Sequence, residues 1–164
     1  LDLYVASGGV EADAGDVRLQ DRLYLNDGRG AFTRAADGVL PAHRDSSGVI
    51  AAADVDDDGD LDLFVGGRVV PGRFPHAPNS RLLRNDGGRF TDVAAQSLPD
   101  GGELGMVSAV CFADLDGDRR PELIVAAQWQ PLRVFRNDDG VFRDRTADLG
   151  LAALRGQWFG LAAG

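Results

Sequence analysis

Apolar residues along the chain come in short alternating runs. Leu1-Asp2-Leu3-Tyr4-Val5 has the same pattern as Leu61-Asp62-Leu63-Phe64-Val65 and Pro121-Glu122-Leu123-Ile124-Val125. A second set reads Arg22-Leu23-Tyr24-Leu25-Asn26-Asp27-Gly28, Arg81-Leu82-Leu83-Arg84-Asn85-Asp86-Gly87 and Arg133-Val134-Phe135-Arg136-Asn137-Asp138. Each of these precedes a short aromatic run: Ala31-Phe32-Thr33, Arg89-Phe90-Thr91-Asp92 and Val141-Phe142-Arg143-Asp144. No long segment places apolar residues at i, i+3 and i+4. Alternation with period two predicts half-buried strands. Asn-Asp-Gly between two such runs predicts a hairpin turn, because these residues tolerate positive φ.

A further strand type is rich in small residues. Gly48-Val49-Ile50-Ala51-Ala52-Ala53 and Val107-Ser108-Ala109-Val110-Cys111-Phe112-Ala113 have this character, and Trp158-Phe159-Gly160-Leu161-Ala162-Ala163-Gly164 is similar to them. One unit is then a small-residue strand, an acidic loop, an apolar strand, a variable loop, a strand ending in Asn-Asp, a turn and an aromatic strand. Four short strands repeating at this period predict all-β propeller blades. The small residues suit the crowded axis and the aromatic strand suits the rim. A β-solenoid or a sandwich of hairpins is the alternative. The expected pieces are 1–47, 48–105 and 106–157, with 158–164 as the first strand of a next blade. The stretches 36–47, 93–105 and 146–157 are expected to hold no more than a turn of helix. About three blades fall short of the four to eight that close a ring. The expectation is therefore a segment of a larger propeller, or copies that assemble to close one.

The chemistry is concentrated between the small-residue strand and the apolar strand. Asp54-Val55-Asp56-Asp57-Asp58-Gly59-Asp60-Leu61-Asp62 places acids at loop positions 1, 3, 5 and 9. Asp114-Leu115-Asp116-Gly117-Asp118-Arg119-Arg120-Pro121-Glu122 repeats that register. Calcium takes six to eight oxygen ligands, and alternate residues of a tight loop can aim carboxylates at one point. An EF-hand would need a bidentate Glu at position 12 and flanking helices. Position 12 here is Val65 or Val125, inside β-branched runs, so the loops are read as calcium loops within β-hairpins. A lone Asp-rich stretch would read as a solvated turn; the repetition favours a metal.

Composition narrows the functions. The chain has 164 residues, 44% hydrophobic and 26% charged, enough for one soluble domain with a core. Its 22 glycines suit many tight turns. A net charge of −9 argues against a nucleic-acid partner, which needs basic clusters. No apolar run reaches the length of a membrane span. The only cysteine, Cys111, lies in an apolar run and reads as core.

These features resemble the FG-GAP repeats of integrin α-chain propellers, and more closely the bacterial VCBS-type repeats. The carriers are the two Asp-x-Asp-x-Asp loops, the Leu63-Phe64-Val65-Gly66-Gly67 strand, the Asn85-Asp86-Gly87-Gly88-Arg89-Phe90-Thr91-Asp92-Val93 hairpin and Phe159-Gly160. The resemblance implies calcium held by Asp54, Asp56, Asp58 and Asp62 with the backbone carbonyl of Asp60. It implies a second site at Asp114, Asp116, Asp118 and Glu122 with the carbonyl of Arg120. Arg119 stands where the first loop has Gly59, so either it takes a left-handed conformation or the loop bends differently. With Arg119 and Arg120 adding positive charge, weaker binding is expected there. The resemblance also implies an extracellular, cell-surface or periplasmic protein.

Three functions follow. The first is a non-catalytic module for binding or adhesion to a protein or carbohydrate ligand. Loops 6–21, 66–80 and 127–132, opposite the acidic hairpins, would carry it. Arg44, Arg68, Arg73, His76, Trp129 and Trp158 are the candidate contacts; core packing is favoured for Trp158. The second is part of a secreted polysaccharide-acting enzyme resembling the lyase propellers. Against it, no Ser–His–Asp order, Cys–His pair or zinc spacing is present, and His43 and His76 lie in Pro-rich loops and read as surface turns. The third is a self-assembling surface protein, through pairing of an exposed edge strand.

Overall fold

The computed structural model describes residues 1–163. Among them, eleven strands form three antiparallel meanders. The first sheet is β1 (Leu3–Val5), β2 (Arg22–Asn26) and β3 (Phe32–Arg34). The second runs β4 (Ser47–Ala53), β5 (Asp62–Gly67), β6 (Arg81–Asp86) and β7 (Arg89–Asp92). The third runs β8 (Val107–Ala113), β9 (Glu122–Ala127), β10 (Arg133–Asp138) and β11 (Val141–Asp144). Strand order within each sheet follows the chain. The small-residue strands β4 and β8 occupy one edge and the aromatic strands β7 and β11 the other. β4 and β8 lie against each other, which only small side chains permit. A Cβ on Gly66 would stand 2.8 Å from the Val107 Cβ, so the glycine is what lets β8 approach β5.

Among the described residues helix is confined to single turns: α1 (Ala94–Ser97) and a 3₁₀ turn at Pro99–Gly102, both within the stretch 93–105, and a 3₁₀ turn at Val17–Leu19, outside the stretches expected to hold one. The outer strands β7 and β11 each end in an aspartate that turns the chain. Asp92 Oδ1 accepts from the Ala94 amide at 3.0 Å, and Asp144 Oδ1 from the Thr146 amide at 2.8 Å. Residues 158–163 carry no strand, and none joins β1 to complete the first sheet among the described residues. A strand exists only through ladder bonds, and among the described residues this segment makes none. Gly164 of the expected strand lies outside the described residues.

The period-two pattern decides which face meets which. Phe64 and Leu82 face the third sheet, where they meet Val107, Leu123, Val125, Phe135 and Phe142. Leu63, Val65 and Leu83, one residue out of phase, face the first sheet and meet Tyr4. The first sheet exposes Leu3 and Phe32 on its other side. The two inter-sheet contacts also differ in kind. Between the second and third sheets the contact is an apolar core. Between the first and second, Asp21 is buried and accepts from the Tyr4 hydroxyl (2.8 Å), the Ser7 amide (2.7 Å), the Ser47 hydroxyl (2.8 Å) and Arg81 Nη2 (2.7 Å). Burial, then the charge of Asp21, holds the Tyr4 phenol well above its usual range, so it stays a donor.

Candidate metal centre

The inner hairpins close in the same way in the second and third sheets. Ala53 pairs with Asp62, and Ala113 pairs with Glu122. The ninth-position acid is therefore the first residue of the returning strand, and its side chain is buried beneath the loop. Loop curvature comes from two left-handed residues at positions 4 and 6. In the first loop these are Asp57 (φ 60°) and Gly59 (φ 94°); in the second they are Gly117 (φ 81°) and Arg119 (φ 69°). Of the two outcomes expected for Arg119, the left-handed one is found. Each loop thus has one glycine and one residue under strain, in swapped order.

The first-position carboxylate organises each loop from inside. Asp54 accepts from the Asp58 amide (3.2 Å) and the Gly59 amide (2.9 Å). Asp114 accepts from the Gly117 amide (2.8 Å) and the Arg119 amide (3.0 Å). The result brings carboxylates together. Asp54, Asp56 and Asp58 each offer an oxygen within 4.8 Å of the others, and so do Asp114, Asp116 and Glu122. Both clusters could hold a metal ion. Two buried oxygens fit that reading: Asp56 Oδ1 and Glu122 Oε1 accept no hydrogen bond. A buried carboxylate oxygen without a donor is costly unless a cation faces it.

Two expected ligands stand apart from these clusters. Asp62 is fully buried, and both its oxygens are engaged: Oδ2 accepts from the Val55 amide (3.0 Å) and Oδ1 from the Asn85 amide (2.8 Å). Asp118 Oδ1 accepts from the Arg120 amide at 2.8 Å, while Oδ2 lies 3.9 Å from Arg136 Nη2. The longer Glu122 does what Asp62 cannot. One oxygen clamps the Leu115 amide at 2.7 Å and the other is left for the cluster. Position 7 links each loop to the outer hairpin. Asp60 Oδ2 accepts from the Gly87 amide at 2.8 Å, and Arg120 reaches Asp139 at 3.7 Å.

The asparagines of the outer turns are ties that the turn signal alone did not reveal. Asn85 Oδ1 accepts from Gly88, and Asn137 Oδ1 from Gly140, each at 2.8 Å. These cap two-residue turns whose central residues, Gly87-Gly88 and Asp139-Gly140, all have positive φ. The Asn85 amide group then reaches back to the Leu61 carbonyl at 3.2 Å. Asn137, only 1% exposed, instead crosses to the Val55 carbonyl of the first loop at 2.9 Å.

Electrostatics makes the loops costly on their own. Burial, followed by neighbouring acids, raises the Asp56 and Glu122 carboxyls above their usual range; burial raises Asp62. A raised acid favours the folded state when protonated. Its contribution is complete below the unfolded value and lost as pH rises through the folded one. Without calcium, the chain should therefore gain stability as pH falls from neutral toward the ordinary carboxylate range. Below the ordinary carboxylate range the trend should reverse. Burial pushes Asp92 and Asp144 up, but hydrogen bonds from His43 and Thr146 outweigh it and leave both low. Urea melts across this range in chelator test the sign; a steady fall in stability from neutral pH would contradict it.

On the opposite side, Arg68 and Trp129 are exposed beside a cleft. Arg44, Arg73 and His76 are also exposed. Trp158 is half-buried and donates to the Gln130 carbonyl at 3.1 Å. His43 is more than a turn residue: its Nε2 lies 3.0 Å from Asp92 Oδ2. The family model described as FG-GAP-like repeat matches residues 1–65 and 74–125. No curated protein matches the chain.

Proposed function

This chain belongs to the FG-GAP-like repeat family, and from that premise we propose a calcium-stabilised, non-catalytic propeller module that binds a protein or carbohydrate outside the cell. The carrying observation is the repeated acidic cluster with an orphaned buried carboxylate oxygen in each copy. Asp54, Asp56 and Asp58 would hold one ion, with Asp62 fixing the loop beneath them and the Asp60 carbonyl as a further donor. Asp114, Asp116 and Glu122 would hold the other, helped by Asp118 and the Arg120 carbonyl. A hard dication supplies what these oxygens lack: charge neutralisation and a partner that tolerates several carboxylates at once. The role is structural: the first ion would hold its acidic loop together, and the second, through Glu122, would also tie the loop to the returning strand.

Extracellular calcium modules bind with dissociation constants of about 10⁻⁴ to 10⁻³ M. Such sites would fill outside the cell, where members of this family typically work. Saturating one site about a hundredfold above its dissociation constant adds about 2.7 kcal/mol, or roughly 5–10 °C in melting temperature. Thermal melts in calcium, in magnesium and in chelator test this. Absence of a calcium-specific rise would overturn the reading. Asp54→Ala should lower the melting temperature more in calcium than in chelator, where only its bonds to the Asp58 and Gly59 amides are lost. Calorimetric titration should resolve a weaker second site, because Arg119 and Arg120 lie close and Arg136 competes for Asp118. Equal affinities would count against that asymmetry.

A further inference from the structure

The face opposite the acidic loops carries a cleft of about 600 Å³, where β4 and β8 begin. Its rim includes Arg68, Phe74, Ser108 and Gln128. Among the described residues Arg68 is the only charged one lining it, although the chain carries a net charge of −9. The guanidinium is exposed, with one nitrogen donating to the Gly8 carbonyl at 3.2 Å and the rest of the fork free for a ligand. Phe74 is 69% exposed and meets Trp129 edge to face, with ring centroids 6.0 Å apart. Trp129 is 47% exposed, and its backbone is left-handed, at φ 59°. Bulky residues rarely adopt that conformation, and such outliers cluster at ligand sites.

We propose that this cleft binds an acidic oligosaccharide, with a uronate carboxylate on Arg68 and a sugar face against Phe74 and Trp129. The inference rests on reading the chain as a binding module and names its ligand class. A guanidinium presents a planar fork that matches a carboxylate. An exposed aromatic ring offers apolar surface to the C–H face of a pyranose, while the Gln128 amide suits its hydroxyl rim. A uronate carries the flat apolar face, the hydroxyls and the charge in one ring. An acidic peptide would supply the charge without the flat face, and the cleft is large enough for a few sugar rings.

Calorimetric titration of the full chain in calcium with trigalacturonate tests the proposal. A blank with calcium and saccharide alone removes their mutual binding. Measurable binding is expected, weakened about tenfold or more in Arg68→Ala, since a charge-assisted contact is lost. Trp129→Gly should weaken it similarly. Glycine adopts the left-handed backbone freely, so that variant keeps the loop and the fold. Three results would overturn the inference: no binding by trigalacturonate, equal binding by a neutral galactose trimer, or tighter binding by an oligoglutamate peptide. Unchanged affinity in both variants would do the same. A melt of the same sample separates the two readings. A chain that shows its calcium rise yet binds no saccharide refutes the ligand class alone.

Discussion

Asp21→Ala is expected to cost about 3–5 kcal/mol of stability, the range for removing one partner of a buried ion pair. Asp21 directly precedes β2 of the first sheet, Arg81 opens β6 of the second, and they are 3% and 6% exposed. Their contact at 2.7 Å is supported by Tyr4, Ser7 and Ser47, which all donate to the same carboxylate. Truncating Asp21 leaves a guanidinium, two hydroxyls and an amide without their acceptor in one buried place. Arg81→Met is the informative counterpart. It removes the cation but leaves Asp21 with three donors, and the methionine stem replaces the lost packing. Its cost should be clearly smaller. Urea denaturation of both variants gives the comparison. A loss below about 1 kcal/mol for Asp21→Ala would mean water reaches Arg81 and the network holds little.

Phe64→Ala is expected to cost a similar amount, about 3–5 kcal/mol, for a different reason. Phe64 is fully buried and sits in the apolar contact between the second and third sheets. Its removal leaves a cavity that backbone ladders on both sides prevent from collapsing. Phe64→Leu should recover much of the loss, since it keeps most of the apolar volume. Because the damage lies in packing, calcium should raise the melting temperature of Phe64→Ala by about as much as it raises the parent's. A calcium increment that vanished with the ring would contradict a purely apolar role.

The strands were legible because each unit repeats the same alternation; the acidic loops were legible because carboxylates recur in one register. The left-handed positions were only half legible. Gly59 marked one, but Gly117 and Arg119 show that the requirement is two positions per loop, and either can bear the non-glycine residue. The Asp21–Arg81 network was not legible. Its partners are far apart in sequence, and an Asp before a strand reads as an ordinary turn residue. Nor was the division of labour among the acids, which turns on side-chain length. Asp62 is short enough to be consumed by two amides, whereas Glu122 keeps an oxygen for the cluster. Phe74 escaped notice because a lone aromatic among prolines has no periodicity, and its meaning comes from the Trp129 ring it touches.

The bond from Asn137 to the Val55 carbonyl changes how the repeats add up. In a linear array, stability divides into an intrinsic part for each unit and a coupling between nearest neighbours. Val55 belongs to the first acidic loop, yet its side chain lies in the core shared with the next sheet, and its carbonyl is held by that sheet's outer turn. Whatever orders this loop therefore enters the coupling between units as much as the energy of its own unit. The loop acts as a cooperativity element: it sets how far unfolding of one repeat propagates into the next.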